Sequence, residues 1–205
     1  MRLPVNVPQP LLRAAEKRKL LRVPAPAKLR IAQITPGVQF ESTYFPAERW
    51  GEMAQFCPEM LVGAAADLQW LAEKTRVGEI SLGSIDHAVF VCTSTGDAPA
   101  DDRLRVVLWQ AFGVPVYELF VGADGTVLAG ECEAHEGWHV EPGCRFYRAG
   151  GEELVADSRQ LKGIRTGLSG IIEREPCVCG RWGARLMEPQ LRAAAKGKLL
   201  LAATA

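Results

Sequence analysis

Residues 86–121 read DHAVFVCTSTGDAPADDRLRVVLWQAFGVPVYELFV, and they give the strongest indication of the fold. DHAVFVCTS is a continuous apolar run, as in strands that are buried on both faces of a parallel sheet. DDRLRVVLWQAFG begins with acidic residues, which favour a helix N-terminus, and ends at Gly113, which favours a helix end. VPVYELFV is a second apolar strand. This order predicts a right-handed parallel α/β unit.

The same alternation continues towards the N-terminus. PAERWGEMAQFC is predicted to be a helix that begins near Pro46, because proline suits a first helical turn. PEMLVG (58–63) is predicted to be a short buried strand. AADLQWLAEKTR (65–76) is an amphipathic helix, and Gly78 lies just beyond its end. We therefore assign residues 46–125 to an α/β subdomain.

The residue composition of the sequence changes after Gly125. Gly, Glu and short apolar runs dominate there, which predicts short antiparallel strands joined by tight turns. We assign residues 126–187 to a small β region and residues 188–205 to a C-terminal helix or tail. Residues 1–45 are assigned to an N-terminal arm, whose segment LLRAAEKRKLLR is predicted to be a short basic helix.

The overall composition limits the class of protein. Of the 205 residues, 48% are hydrophobic, and 24 basic residues balance 24 acidic ones. This neutrality argues against binding to nucleic acid or to an anionic membrane. No apolar run approaches the roughly 20 residues of a membrane span, and the N-terminus lacks the apolar core of a secretory signal. We expect a cytoplasmic protein whose cysteines are not paired in structural disulfides.

Several residues in the second half of the chain have the chemistry of a metal site. Thiolates and imidazole are the ligands that Zn²⁺ prefers, usually four in a tetrahedral array when the role is structural. Cys177 and Cys179 form one pair of candidate ligands, and Cys132 with a histidine forms the other. Both His135 and His139 follow Cys132 closely. The alternative is that these are unliganded thiols in a reducing cell.

Six motifs follow one another between about residue 46 and about residue 185: PEMLVG (58–63), GDAP (96–99), AFGVPVY (111–117), ECEAHEGWHV (131–140), IRTG (164–167) and PCVCGR (176–181). In this order they resemble the second half of the large domain of phenylacetate-CoA ligase-like proteins, a branch of the adenylate-forming superfamily. The resemblance implies an α/β fold, with a parallel sheet flanked by helices and then a small antiparallel β region with a zinc knot. It also favours His139 over His135 as the fourth ligand.

The resemblance also implies where a nucleotide would bind, and there the sequence departs from the family. The family's adenine-side turn corresponds to Thr95, Gly96 and Asp97, which keep the glycine and the carboxylate. At the second motif a hydroxyl is lost and the family's Glu is shortened to Asp124. At the third, Leu168 replaces the carboxylate that holds the ribose hydroxyls. Each polar group left unpaired costs on the order of 1–3 kcal/mol.

Other parts of an adenylating enzyme are also missing from the sequence. TSTG (93–96) could cradle a phosphate, but no lysine follows it. Lys196 and Lys198 lie in a basic tail, which favours solvated side chains over catalytic ones. The sequence therefore gives little support for ATP and Mg²⁺ as cofactors, whereas it supports a structural Zn²⁺.

Three hypotheses follow from these observations. The first is a truncated, catalytically inactive relative that binds zinc and acts as a ligand-binding or protein-interaction subunit, with a small aromatic or acyl ligand. The second is a half-enzyme completed in trans by a partner that carries the phosphate loop and the catalytic lysine. The third is a zinc-dependent hydrolase or redox protein that uses Glu133 or Glu136, which requires an open metal position or a CxxC-type pair.

Leu168 favours the first hypothesis over the second, because a partner can donate a missing domain but cannot remove a leucine that points at the ribose. A truncated domain exposes apolar surface that the missing half would cover. We therefore expect a homodimer, or a partner protein chain, over that surface.

Overall fold

Five parallel strands form one half of a nine-stranded mixed sheet in this computed structural model, which describes residues 29–39, 41–149 and 151–192. Their order across the sheet is β2-β1-β3-β4-β5, and every neighbouring pair is parallel. The strands are β1 (Ile31–Gln33), β2 (Thr43–Tyr44), β3 (Met60–Ala64), β4 (Ala88–Ser94) and β5 (Val116–Val121). The predicted basic helix in the N-terminal arm lies outside the described residues.

Helical segments follow β2, β3 and β4, at the places where the sequence predicts helices. A 3-10 helix, Ala47–Glu52, begins after Pro46 and runs into the short α1 (Met53–Phe56). The longer helices are α2 (Ala65–Arg76), between β3 and β4, and α3 (Asp102–Phe112), between β4 and β5.

The ends of α3 show why the sequence forms a helix there. Asp101 caps its N-terminus by accepting a hydrogen bond from the Leu104 backbone N–H at 2.8 Å. Gly113 ends it in the left-handed conformation at φ 68°. The fully buried Leu108 of α3 and Leu68 of α2 belong to one hydrophobic cluster with strand residues. This cluster holds the two helices on the sheet.

Four antiparallel strands extend the large sheet beyond β5, in the order β5-β6-β7-β12-β11. They are β6 (Val127–Glu131), β7 (Trp138–Val140), β11 (Leu168–Glu173) and β12 (Arg185–Leu191). A separate three-stranded antiparallel sheet contains β8 (Arg145–Arg148), β9 (Leu154–Asp157) and β10 (Ile164–Arg165). The predicted fold class is confirmed.

The boundary that the sequence places at residue 125 falls inside the large sheet. Alternating short apolar runs identify the later segments as antiparallel strands, but local sequence does not encode which sheet each strand joins. Residues 188–191, assigned to a C-terminal helix or tail, instead form the end of β12, where Gln190 and Leu191 pair with Ser169 and Leu168 of β11. The rest of that predicted helix, from residue 193, lies outside the described residues.

Aromatic packing attaches the small sheet to the large one. Phe120 of β5 stacks on Trp138 of β7 with ring centroids 5.5 Å apart, and it also contacts Phe146 of β8 at 6.1 Å. Leu154 of β9 is fully buried in the same cluster. Among the described residues, no helix is both long and apolar enough to cross a membrane.

Candidate functional site

Four side chains from three segments converge near one end of the antiparallel half of the large sheet. Cys132 directly follows β6, His139 lies in β7, and Cys177 and Cys179 lie in the loop between β11 and β12. Their ligand atoms all lie within 4.8 Å of one another. The structure therefore brings together the three cysteines and His139 that the sequence and the family resemblance indicate.

The distances within this Cys₃His cluster fit a tetrahedral zinc ion. The Sγ atoms of Cys132 and Cys177 are 3.8 Å apart, and Sγ of Cys179 is 3.6 Å from Nε2 of His139. Zinc bonds of about 2.3 Å to sulfur and about 2.0–2.1 Å to nitrogen place neighbouring ligands of a tetrahedron roughly 3.5–3.8 Å apart. The donor set and its spacing therefore both suit Zn²⁺.

Backbone geometry holds these ligands in place. Cys177 and Gly180 close a tight turn in which the Gly180 N–H donates to the Cys177 carbonyl at 2.8 Å, and the Cys179 N–H approaches the Cys177 sulfur at 3.5 Å. On the other side, the loop from Cys132 approaches β12 closely at Gly137. A Cβ there would lie 2.6 Å from the Leu186 carbonyl oxygen, and φ is +74°, so glycine is needed for this approach.

The thiols of the cluster sit in contrasting electrostatic surroundings. Burial raises the pKa of Cys132 to about 12. Burial also acts to raise the pKa of Cys177, but hydrogen bonds with Cys179 and Cys132 and the positive charge of Arg185 outweigh it, so that pKa lies below its ordinary value. Metal binding requires thiolates, so it must displace protons from the buried thiols.

His135, the alternative ligand, lies outside the Cys₃His cluster. Its ring stacks on Tyr117 with centroids 5.1 Å apart, and its Nδ1 is 3.7 Å from a Glu131 carboxylate oxygen. Its side chain is 47% exposed. The geometry therefore favours His139 as the fourth ligand.

The remaining three cysteines lie away from the cluster, and none of the six cysteines, all of which lie in the described residues, is in a disulfide. Cys57 is exposed, and Cys144 is half-buried. Cys92 is buried in β4, where desolvation raises its pKa to about 12. Cys92 is therefore a core thiol, whereas Cys57 is a surface thiol and Cys144 lies between the two.

Two of the segments that the resemblance assigns to a nucleotide site meet in the structure. Gly96, in the turn after β4, donates its N–H to the Thr166 carbonyl at 3.1 Å. A Cβ on Gly167 would lie 3.3 Å from the Gly96 Cα atom. Thr95 precedes this contact and is half-buried. The turn and the IRTG segment therefore lie against each other.

The carboxylates at this edge stabilise their own turns. Asp97 accepts a hydrogen bond from the Ser94 N–H at 3.2 Å. Asp124, in the turn between β5 and β6, accepts from the Thr126 N–H at 3.1 Å and from the Thr126 hydroxyl at 2.9 Å. Both are local turn contacts.

The expectation that Leu168 points at the ribose is wrong. Leu168 is fully buried and belongs to the hydrophobic cluster of Phe120, Leu154 and Leu186. Sequence comparison places a residue in register but does not give the direction of its side chain. Leu168 therefore weakens the half-enzyme hypothesis less than the sequence suggests.

A buried ion network, which sequence reasoning missed, lies between α3 and the large sheet. Arg105 of α3 donates two hydrogen bonds of 2.9 Å to the Glu131 carboxylate and one of 3.2 Å to Glu118. Thr93 and the Ala100 N–H also donate to Glu118. Burial raises the pKa of Glu118 to about 7. The sequence feature that could have indicated this network is Glu118, a charged residue inside the apolar run VYELFV (116–121).

This network lines a cavity of about 880 Å³ beside α3. Its walls also include Trp109, Trp138 and His135, together with Met187. This cavity is open to solvent, and its wall combines aromatic and apolar side chains with six charged ones: Asp102, Arg105, Glu118, Glu131, Glu136 and Glu188.

The chain shares its fold with solved acyl-CoA ligases. An open conformation of 2-hydroxyisobutyryl-CoA ligase in complex with 2-HIB-AMP and CoA superposes with a TM-score of 0.59 at 12% identity, over 78% of this chain and 47% of that one. The same ligase in the thioesterification state gives 0.58 at 14% identity, over 85% and 46%. Coronafacic acid ligase from Pectobacterium brasiliense gives 0.52 at 11% identity, over 88% and 43%.

These comparisons show that the chain has the fold of the adenylate-forming CoA ligases. The matched part of the chain spans less than half the length of each of these three structures. No protein-family model matches the chain. No curated protein matches it significantly. Since one fold supports many activities, function has to be argued from the site.

Proposed function

We propose that this chain is a zinc-binding relative of the phenylacetate-CoA ligase-like enzymes that does not adenylate a substrate by itself and acts as a ligand-binding or protein-interaction subunit. The observation that carries the proposal is the Cys₃His cluster, whose ligand atoms lie within 4.8 Å of one another on the fold of the adenylate-forming ligases. None of the six cysteines, all of which the structure describes, is in a disulfide, and this supports a reducing compartment such as the cytoplasm.

The zinc would have a structural role. Cys132, His139, Cys177 and Cys179 would supply all four ligands, and such a site has no open position for a substrate or a water. The bound ion supplies a cross-link between the end of β6, strand β7 and the β11–β12 loop. The same argument disfavours a zinc-dependent hydrolase, because Glu133 and Glu136 would face no open coordination position.

The contacts of the polar side chains near the expected nucleotide site support the proposal that the chain does not adenylate a substrate by itself. Adenylation requires positioned groups that neutralise the phosphate charge. Asp97 and Asp124 are engaged in local turns. Lys74 pairs with Glu79 on the surface, and Lys162 donates to the Ser158 carbonyl. None of these contacts forms a phosphate-binding cradle.

A half-enzyme completed in trans remains the second candidate. Two observations favour it: the contact between Gly96 and Thr166 keeps the two nucleotide segments together, and Leu168 is buried away from the surface. In this case a partner would supply the phosphate loop and the catalytic lysine. The cavity beside α3 would take the small aromatic or acyl ligand.

Metal analysis and nucleotide titration test the proposal together. We expect one zinc per chain in purified protein, and no heat of binding when the metal-loaded protein is titrated with ATP·Mg²⁺ or with AMP at up to millimolar concentration. A protein without zinc would overturn the metal assignment. Nucleotide binding at micromolar concentration would instead select the half-enzyme and justify a search for its lysine-bearing partner.

Association with a second protein surface is part of the same proposal. Helices α2 and α3 pack against each other, and each exposes a tryptophan to solvent, Trp70 at 50% and Trp109 at 60%. We propose that a second copy or a partner chain covers these helices. Light scattering over a range of concentrations should show a dimer or larger species. A strictly monomeric protein would exclude the second copy and leave a different partner chain as the proposed cover.

A further inference from the structure

A buried arginine lies beside the Cys₃His cluster. Arg185 is the first residue of β12 and pairs in register with the candidate ligand His139 of β7. Its side chain is only 5% exposed. Arginine is rarely buried without a partner of opposite charge, so its surroundings indicate what it compensates.

The guanidinium of Arg185 is surrounded by negative groups. Nη1 donates to the Glu136 carboxylate at 3.2 Å, and Nη2 donates to Glu173 at 2.5 Å. The Glu136 carboxylate is in turn 4.0 Å from the Cys177 sulfur. Burial acts to lower the pKa of Arg185, but Glu136 and Cys177 outweigh it and hold that pKa above its ordinary value.

One donor of Arg185 remains unused. Its Nε is buried and has no hydrogen-bond partner among the described residues. Two carboxylates therefore do not account for all of the hydrogen-bonding capacity of this side chain. An unsatisfied buried donor costs free energy, which is recovered when a negatively charged acceptor forms next to it.

Metal binding creates negative charge at this position. Zinc with three thiolates and a neutral histidine carries a net charge of about minus one. The nearby carboxylates of Glu136 and Glu173 add to that charge, and Arg185 is the cation between them. Groups outside the ligand set that hydrogen-bond to ligands commonly tune metal affinity about 10–100-fold.

We propose that Arg185 is a positioning residue of the metal site, which directs the Cys177 thiolate towards the metal and balances the negative charge of the Cys₃His group. The inference rests on the zinc site of the proposed function. It goes further because Arg185 is not a ligand and lies outside the motifs that indicate the site.

Competition of the purified full chain against a chromophoric zinc chelator tests this role. Arg185→Met should bind zinc about 10–100-fold more weakly than the wild type, and Arg185→Lys should recover part of the loss because it keeps the charge. Arg145→Met is the control, since Arg145 pairs with Asp157 in the small sheet. Glu173→Gln should change the affinity less than about fivefold, because Glu173 is partly exposed.

Cobalt substitution separates positioning from a general effect on folding. Arg185 also makes a hydrogen bond with the Cys177 sulfur. Such a bond stabilises the electrons of a thiolate, so its loss in Arg185→Met should move the thiolate-to-cobalt charge-transfer band to longer wavelength at full metal loading. An unchanged band with unchanged zinc affinity would overturn the inference. If Arg185→Met does not fold, Arg185→Lys decides: its band should also shift, because one ammonium cannot replace the forked guanidinium.

The wild-type measurement distinguishes the two proposals. A wild type that binds no zinc would overturn both the metal site and the role of Arg185. A wild type that binds zinc as tightly as Arg185→Met would overturn only the role of Arg185.

Discussion

The sulfur atoms of Cys132 and Cys177 lie 3.8 Å apart although 45 residues separate them in the chain. Cys132 follows a strand in the middle of the large sheet, whereas Cys177 lies in a loop between two strands at its edge. The two are brought together because β12 returns to pair with β7. The geometry of the candidate metal site is thus a product of sheet topology.

The two candidate histidines should respond differently to substitution. His139→Ala should lose most of the bound zinc, because its Nε2 is the fourth ligand atom of the cluster. His135→Ala should retain one zinc per chain, since His135 stacks on Tyr117 outside the cluster. Elemental analysis of both purified variants measures this, and zinc retained by His139→Ala but lost from His135→Ala would reverse the assignment.

Loss of a thiolate ligand should destabilise the fold. Cys177→Ser should lower the unfolding free energy by about 3 kcal/mol or more, because metal-binding free energy is also folding free energy. Cys57→Ser is the matched control, since Cys57 is exposed and lies away from the cluster. Chemical denaturation with and without a chelator measures both. The chelator should have no further effect on Cys177→Ser, and equal sensitivity of the two variants would contradict the prediction.

Glu118 should make stability depend on pH. Its folded-state pKa is raised by burial from 4.5 to about 7, so the folded state binds the proton more tightly than the unfolded chain does. The stabilisation is complete below about pH 4.5 and is lost as the pH rises through about 7, with a total of about 3 kcal/mol.

Glu118→Gln should remove this component of the pH dependence. The difference in unfolding free energy between wild type and Glu118→Gln should therefore change between pH 5 and 8, and taking the difference cancels the pH dependence of metal binding. A constant difference for Glu118→Gln would show that the carboxyl is charged throughout the range.

Gly125 should not tolerate a side chain. Its φ is +81°, and a Cβ there would lie 1.6 Å from the Gly37 carbonyl oxygen. Gly78 has nearly the same φ, +78°, but nothing within 4 Å of its Cβ position. We expect Gly78→Ala to cost about 1–2 kcal/mol of unfolding free energy and Gly125→Ala about 2 kcal/mol more. Equal losses in chemical denaturation would show that the loop of Gly37 moves aside freely.

The sequence predicts strands β3, β4 and β5 and the two longer helices, which are bounded by clear signals such as the Asp101 cap and Gly113. It misses β1 and β2, which are only three and two residues long and lie in residues 31–44, within the segment assigned to an N-terminal arm; the parallel sheet therefore begins before residue 46. The antiparallel half is harder, because short apolar runs identify strands without identifying their sheet. The structure adds the pairing of β7 with β12, which has no local signature.

The candidate site shows the same division. Cys132, Cys177 and Cys179 are visible in the sequence because their chemistry is distinctive, and the resemblance selects His139. Arg185 has no such signature, since its role depends on a strand pairing that forms only in the folded chain. Leu168 shows the opposite error: the resemblance places it at a ligand-binding position, but its side chain is buried in the core.

The small sheet of β8, β9 and β10 lies entirely between Cys132 and Cys177 along the chain. A metal bound by both cysteines would therefore close a loop of the chain, and this loop would contain the small sheet. A closed loop gains less conformational entropy on unfolding than an open chain does, and this difference grows with loop length, here about 45 residues. Metal release would then remove this constraint, and the small sheet would be held by its packing on the large sheet, through contacts such as that of Phe146 with Phe120.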